Sequence, residues 1–169
     1  MDKQTWGSKL KELRSIIRKE LFIDEAKTLA LQLHEMVYTS EMSGTNQRTF
    51  EDELCEDLSE ETARKAVNTK GRTVVYGIWH ATRIEDVTMN LLVAADDQIF
   101  EKENWAARIN ASVKHTGNSL DKKEILRFSE RIDINELRVY RMAVARQSEN
   151  IIRRLKPEDM KRDVHQANL

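Results

Sequence analysis

The chain has 169 residues, of which 34% are charged, yet 28 Lys and Arg stand against 29 Asp and Glu, giving a net charge of -1. Proteins that bind nucleic acid or membrane surfaces normally carry a basic excess or a polybasic patch, and this sequence has neither. We therefore expect no nucleic acid and no membrane among its partners. The apolar content of 40% is typical of a globular protein, and the length suits one domain.

Cysteine usage indicates a reducing compartment. Cys55 is the single cysteine, so the chain has no second one for an internal disulfide or a thiolate metal site. No run reaches the roughly 18 apolar residues that span a bilayer, and no apolar signal core follows the first residues. We therefore predict a cytoplasmic protein.

The first two helices are predicted from apolar residues spaced three and four apart. Five Gly and one Pro leave long stretches of the chain uninterrupted, which favours helices throughout. The first helix is predicted over residues 2–20. Asp24 is predicted to cap a second one that runs to about residue 41, where the polar cluster at residues 43–46 ends it.

The middle of the chain contains its most apolar segment. A short helix is predicted over residues 59–66, with Ser59 at its start. Residues 73–97 predict one helix roughly 35 Å long. Its inward face is predicted to consist of Val74, Gly77, Ile78, Ala81, Ile84, Val87, Leu91 and Ala95.

The last third of the chain predicts a short helix within residues 98–117 and two further helices. Asp121 is predicted to cap the first of these, and Asp133 the second, a long helix that Pro157 stops. The long helix carries one apolar stripe, formed by Leu137, Tyr140, Val144, Ser148, Ile151 and Leu155.

These segments together predict an all-α fold. Four of the predicted helices are long and their connections are too long for a minimal up-down bundle, so we expect a helical bundle with crossovers. Residues 1–169 are predicted to form a single domain, with residues 22–164 as its core and residues 1–21 as an N-terminal helix.

The sequence offers few groups for catalysis. It has no glycine-rich phosphate loop and no nucleophile elbow around a serine, so no catalytic residue is assigned. Four histidines are present, and no two of them are three or four residues apart, so no single helix carries a paired-ligand motif. They are His34, His80, His115 and His165.

His80 is the candidate site residue, because it lies on or beside the apolar face of the most apolar predicted helix. It is either a core histidine satisfied by hydrogen bonds or a metal ligand that projects into the bundle. Glu85 and Asp86 lie close by. We interpret them as a helix-surface pair with Arg83 rather than as a general acid and base.

The residues around His80 resemble a known family. The segment RTVVYGIWHATRIEDVTMN, residues 72–90, is similar to the second bundle helix of the DinB-like family, the DinB/YfiT metalloenzymes, and is most specific over residues 79–86. The segments LHEMV at residues 33–37 and TFEDEL at residues 49–54 are similar to one bacterial branch of that family. The resemblance extends over residues 6–164.

The resemblance implies a four-helix bundle with a crossover connection that binds a divalent metal, nickel, zinc or iron, through three histidines. His80 matches the ligand in the second helix, and the other two ligands lie one turn apart on the last helix of the family. Some members are thiol-dependent transferases or isomerases. The resemblance thus implies such a transferase or a hydrolase-like activity on a small-molecule or thiol substrate, with Glu85 or Arg83 in supporting roles.

The sequence departs from the family in its last segment. It stops at Leu169, close to where the last helix is expected to begin, so we expect an incomplete metal site. A bundle short of one helix leaves an apolar groove, which we expect a homodimer to cover. Two function classes follow: a metal-dependent enzyme, and a non-catalytic helical-bundle interaction protein that has lost the metal site.

Overall fold

The computed structural model describes residues 1–161, and these form helices joined by turns and loops, with no strand among them. The predicted all-α class is confirmed for that part of the chain. Predictions for His165 and for the end of the core at residue 164 lie outside the described residues. Backbone contacts group the chain into two compact units, residues 1–57 with 149–161, and residues 58–148.

The first unit begins with two packed helices. Helix α1 spans Lys3–Ile16, helix α2 spans Ile23–Glu35, and a 3-10 turn at Glu20–Phe22 joins them. Two short helices follow, α3 at Ser40–Ser43 and α4 at Phe50–Cys55. The core between α1 and α2 is formed by Ile16, Ala26, Leu29 and Leu33, with Trp6, Leu10 and Leu13 packed against them.

Both long helices of this unit are shorter than the hydrophobic pattern predicts. Helix α1 ends at Ile16, and Leu21, which continues its predicted stripe, is 95% exposed. The prediction that Asp24 caps α2 is wrong, because Phe22 is at the N-cap and Asp24 lies in the first turn. The predicted extension of α2 to residue 41 is also wrong, because the backbone of Thr39 is extended. The side chain of Thr39 caps α3 instead.

The second unit contains the remaining helices, the last of which continues into the first unit from residue 149. The capping predictions here are confirmed, since Ser59, Asp121 and Asp133 each accept hydrogen bonds from backbone N–H groups in the first turn of a helix. The helices are α5 (Glu60–Lys65), α6 (Val74–Asp86), α7 (Ile99–Lys102), α8 (Trp105–Arg108), α9 (Lys122–Arg131) and α10 (Ile134–Arg154).

The segment predicted as one helix over residues 73–97 changes its hydrogen-bond pattern midway. Helix α6 ends at Asp86 and continues as a π-helix, Val87–Ala94, which closes at Ala95 in the left-handed conformation. The side chain of Asn90 donates to the carbonyl oxygen of Asp86 at 3.2 Å. In an α-helix the backbone N–H of residue 90 takes that carbonyl, so this bond favours the wider turn.

The predicted inward face of α6 is confirmed only in part, since Val74 and Ile78 pack against the core of this unit. Gly77, Ala81 and Ile84 are exposed, whereas Tyr76 and Trp79 are buried. The large aromatic rings contribute more apolar area to the core than the small residues do. The buried face of α6 consists of Val75, Tyr76, Trp79, Thr82, Arg83 and Asp86.

The core of the second unit is rich in aromatic rings. The ring of Trp79 lies 5.5 Å from Phe100 and 5.3 Å from Phe128, measured between centroids. Tyr140 on α10 packs against Trp79, Phe100 and Trp105. The predicted stripe of α10 is buried from residue 137 to residue 151. Across residues 1–161, no helix combines the length and apolar character that crossing a membrane requires.

Candidate functional site

His80 lies half-buried near the middle of α6, with its ring held by a hydrogen bond. Its Nδ1 atom lies 2.8 Å from the carbonyl oxygen of Thr116. A carbonyl oxygen can only accept, so Nδ1 carries the proton, and the neutral ring has its lone pair on Nε2. Among residues 1–161, no hydrogen-bond partner contacts this Nε2 atom.

Tyr76 packs on the ring of His80 one turn earlier in α6. The two rings are stacked, with centroids 5.5 Å apart and planes 10° apart. The hydroxyl of Tyr76 donates to the carbonyl oxygen of Gly117 at 3.1 Å. Gly117 has a φ of +85°, and a Cβ atom there would lie 3.0 Å from the Tyr76 ring, so the close approach of the loop requires glycine.

The other described histidines lie in different settings. His115 is exposed in the loop before α9, and its Nδ1 accepts a hydrogen bond of 2.9 Å from the backbone N–H of Gly117. His34 belongs to the first unit, where its Nδ1 lies 3.8 Å from a carboxylate oxygen of Glu149.

The side chains around His80 fit one metal ligand but do not supply a complete set. A histidine that binds a metal through Nε2 typically donates its Nδ1–H to a carbonyl or carboxylate, as His80 does. Within the described range, however, no three His, Cys, Asp or Glu side chains come together at a metal-binding distance. The assignment of His80 as a metal ligand therefore stays a prediction.

A second polar feature lies on the buried face of α6, around the carboxylate of Asp86. This side chain is fully buried and accepts hydrogen bonds at both oxygens. We call the group of Arg83, Asp86, Asn90, Gln98 and Tyr140 the Asp86 network. Its carboxylate accepts from Arg83 Nη1 at 3.0 Å, the Tyr140 hydroxyl at 2.6 Å, Asn90 Nδ2 at 2.8 Å, and the backbone N–H groups of Ile99 and Phe100, both at 2.9 Å.

Arg83, like Asp86, has all of its hydrogen-bonding groups paired within the protein. Its guanidinium donates to Asp86, to the Tyr140 hydroxyl at 2.9 Å, to Gln98 Oε1 at 2.7 Å, and twice to the carbonyl oxygen of Lys114. The ring of Phe100 lies 4.1 Å from the guanidinium carbon. These bonds engage all five N–H groups of Arg83, so the Asp86 network holds the fold together and leaves no donor on Arg83 for a ligand.

The interpretation of Glu85 and Asp86 as a helix-surface pair with Arg83 is wrong for two of the three, since Asp86 is 0% and Arg83 3% exposed, whereas Glu85 is half-buried. A sequence signal for the network did exist. Trp79, Arg83, Asp86 and Asn90 are spaced four, three and four residues apart, as residues on one helix face are. Counting apolar residues alone excludes this face, because three of its four members are polar.

No family model matches this chain, and a search of curated proteins found no match either. The resemblance of residues 72–90 to the DinB-like family therefore stays a prediction from the sequence. The functional argument depends on the geometry around His80.

The substitution Asp86→Asn tests how much the Asp86 network contributes to the free energy of unfolding. Asparagine keeps the shape but removes the charge that Arg83 pairs with, and its amide nitrogen faces other donors. We expect the free energy of unfolding to fall by about 3–5 kcal/mol, as for other broken buried ion pairs. Urea denaturation at neutral pH measures it. Asp97→Asn, at an exposed carboxylate, is the matched control and should change stability by less than about 0.5 kcal/mol.

The stability of the chain should also depend on Tyr140 at high pH. Burial, and then the negative charge of Asp86, raise the pKa of the Tyr140 hydroxyl well above its ordinary value. Above about pH 10 the unfolded state loses this proton and the folded state keeps it, so stability falls by up to about 1.4 kcal/mol per pH unit. Below that pH the contribution is constant.

Tyr140→Phe removes this ionisation. We expect the difference in unfolding free energy between the unsubstituted chain and Tyr140→Phe to shrink as urea titrations move from pH 9 to pH 11. Parallel stability profiles for the two proteins would show that the hydroxyl ionises normally in the folded state.

Proposed function

We propose that the chain is a helical bundle of the DinB-like type in which His80 provides one ligand of a divalent-metal site. Within residues 1–161 His80 belongs to no group of three possible ligands, which fits the incomplete site that the sequence predicts. One observation carries the proposal: the Thr116 carbonyl binds the Nδ1 proton of His80, and the Nε2 atom has no partner among the described residues. The likeness of residues 72–90 to the second bundle helix of that family supports it.

The chemistry proposed for the site follows from the same resemblance. When bound, a divalent nickel, zinc or iron ion supplies Lewis acidity and lowers the pKa of a bound water or thiol. The contribution of the chain is an imidazole whose tautomer is set before binding. We propose a thiol-dependent transferase or a hydrolase-like activity on a small molecule. The single Cys55 supports a reducing, cytoplasmic setting for a thiol co-substrate.

Metal binding by the protein without a histidine tag tests this proposal. We expect Zn²⁺ or Ni²⁺ to bind in isothermal titration calorimetry, and His80→Ala to weaken that binding by at least about tenfold, since even the groups behind a ligand contribute this much. His34→Gln, in the first unit, is the control and should bind as the unsubstituted chain does. Equal binding by His80→Ala, or no binding at millimolar metal, would remove His80 as a ligand.

A second candidate function is the non-catalytic interaction protein, and the exposed face of α6 favours it. Gly77, Ala81 and Ile84 lie along this face and Thr88 continues it into the π-helix, and none of the four is charged. Ile84 is 42% exposed, and a Cβ atom on Gly77 would meet no atom within 4 Å. We propose that the same face of a second copy covers it, forming a symmetric homodimer.

Light scattering after size-exclusion chromatography tests the homodimer. At tens of micromolar we expect the mass of a dimer, and a monomer for Ile84→Glu, because the carboxylate would be desolvated in the contact. Val67→Glu, at an exposed apolar residue outside α6, is the matched control and should remain dimeric. A monomeric unsubstituted chain, or a dimeric Ile84→Glu variant, would contradict the proposed interface.

A further inference from the structure

We infer that the peptide group between Thr116 and Gly117 fixes His80 and His115 in opposite tautomers, with Tyr76 as the positioning residue. This peptide group is bonded at both of its polar atoms. Its carbonyl oxygen accepts from Nδ1 of His80 at 2.8 Å, and its N–H donates to Nδ1 of His115 at 2.9 Å.

The direction of each bond decides where each ring carries its proton. His80 donates through Nδ1, so its neutral form is protonated there and has its lone pair on Nε2. His115 accepts at Nδ1, so its neutral form is protonated on Nε2. Because both bonds act on one peptide group, each increases the polarisation of the other. The two imidazoles therefore present different atoms: an acceptor nitrogen at His80 and an N–H donor at His115.

Tyr76 holds this arrangement in two ways. Its ring is stacked on His80 with planes 10° apart, which fixes the ring plane. Its hydroxyl donates to the carbonyl oxygen of Gly117 and so anchors the turn that carries the peptide group. Tyr76 is 1% exposed, and the left-handed Gly117 lets the turn approach it closely. A loop anchored in this way keeps the Thr116 carbonyl in line with His80.

This inference concerns the same site as the proposed function and rests on it for its meaning, because His80 can bind a metal only through a lone pair on Nε2. The tautomers themselves do not depend on a metal. They can be measured on the metal-free protein, which separates this inference from the metal site.

Long-range proton–nitrogen correlation spectra of the metal-free protein report the tautomer of each imidazole. At about pH 8 we expect the Nδ1–H pattern for His80 and the Nε2–H pattern for His115. Tyr76→Phe keeps the stacked ring and loses the bond to Gly117, so its His80 signals should move toward a mixture of tautomers. Tyr38→Phe, at a buried tyrosine of the first unit, is the matched control and should leave both patterns unchanged.

Gly117→Ala is the second variant. Its Cβ atom would lie 3.0 Å from the Tyr76 ring at a φ of +85°, so it should displace the turn while keeping the Tyr76 hydroxyl, and it should also produce a tautomer mixture at His80. The Nε2–H pattern for His80 in the unsubstituted protein would overturn the inference. An unchanged His80 pattern in folded Tyr76→Phe would overturn the role of Tyr76. Fixed tautomers without metal binding would refute the metal site alone. Metal binding by a protein whose metal-free His80 carries its proton on Nε2 would refute the inference about the tautomers alone.

Discussion

The buried carboxylate of Asp86 is the constraint on which the second unit depends. An unpaired carboxylate away from water costs several kcal/mol, so its five donors must all stay in place. They come from α6 itself, from the π-helix, from the start of α7 and from Tyr140 on α10. This requirement sets the rotation of α6. With Asp86 inward, His80 is turned to the half-buried edge of the helix, where it meets Thr116.

The two polar sites on α6, the Asp86 network and His80, differ in whether they have an atom available to bind a ligand. The donors of Arg83 are all engaged within the protein, which suits a structural role. His80 has one nitrogen engaged and one without a partner in the described residues, which suits a ligand. Breaking a buried ion pair of this kind is costly, although the net contribution of the intact pair to stability is small. The function proposed for His80 thus depends on a network that takes no part in the chemistry.

The features predicted correctly from the sequence are those encoded within a few residues. The caps at Ser59, Asp121 and Asp133 need only a polar side chain and the N–H groups of the next turn, and the stripe of α10 needs only its apolar spacing. The prediction of the buried face of α6 counted only apolar residues. It therefore missed Arg83 and Asp86, which are buried because they pair with each other and with Tyr140, 54 to 57 residues away. The bond from His80 to Thr116 spans 36 residues and has no local signal.

The π-helix after α6 has a consequence for how the chain tolerates change in length. A π-helix fits about 4.4 residues into each turn, against 3.6 in an α-helix, so it contains roughly one surplus residue per turn. Deleting one amino acid after Asn90, within residues 91–94, would keep the bond from Asn90 to Asp86 and would be absorbed by tightening to the ordinary repeat, with the flanking turns kept in phase. The most apolar segment of the protein can thus lose one residue and remain helical, which the closely packed aromatic core beside it cannot.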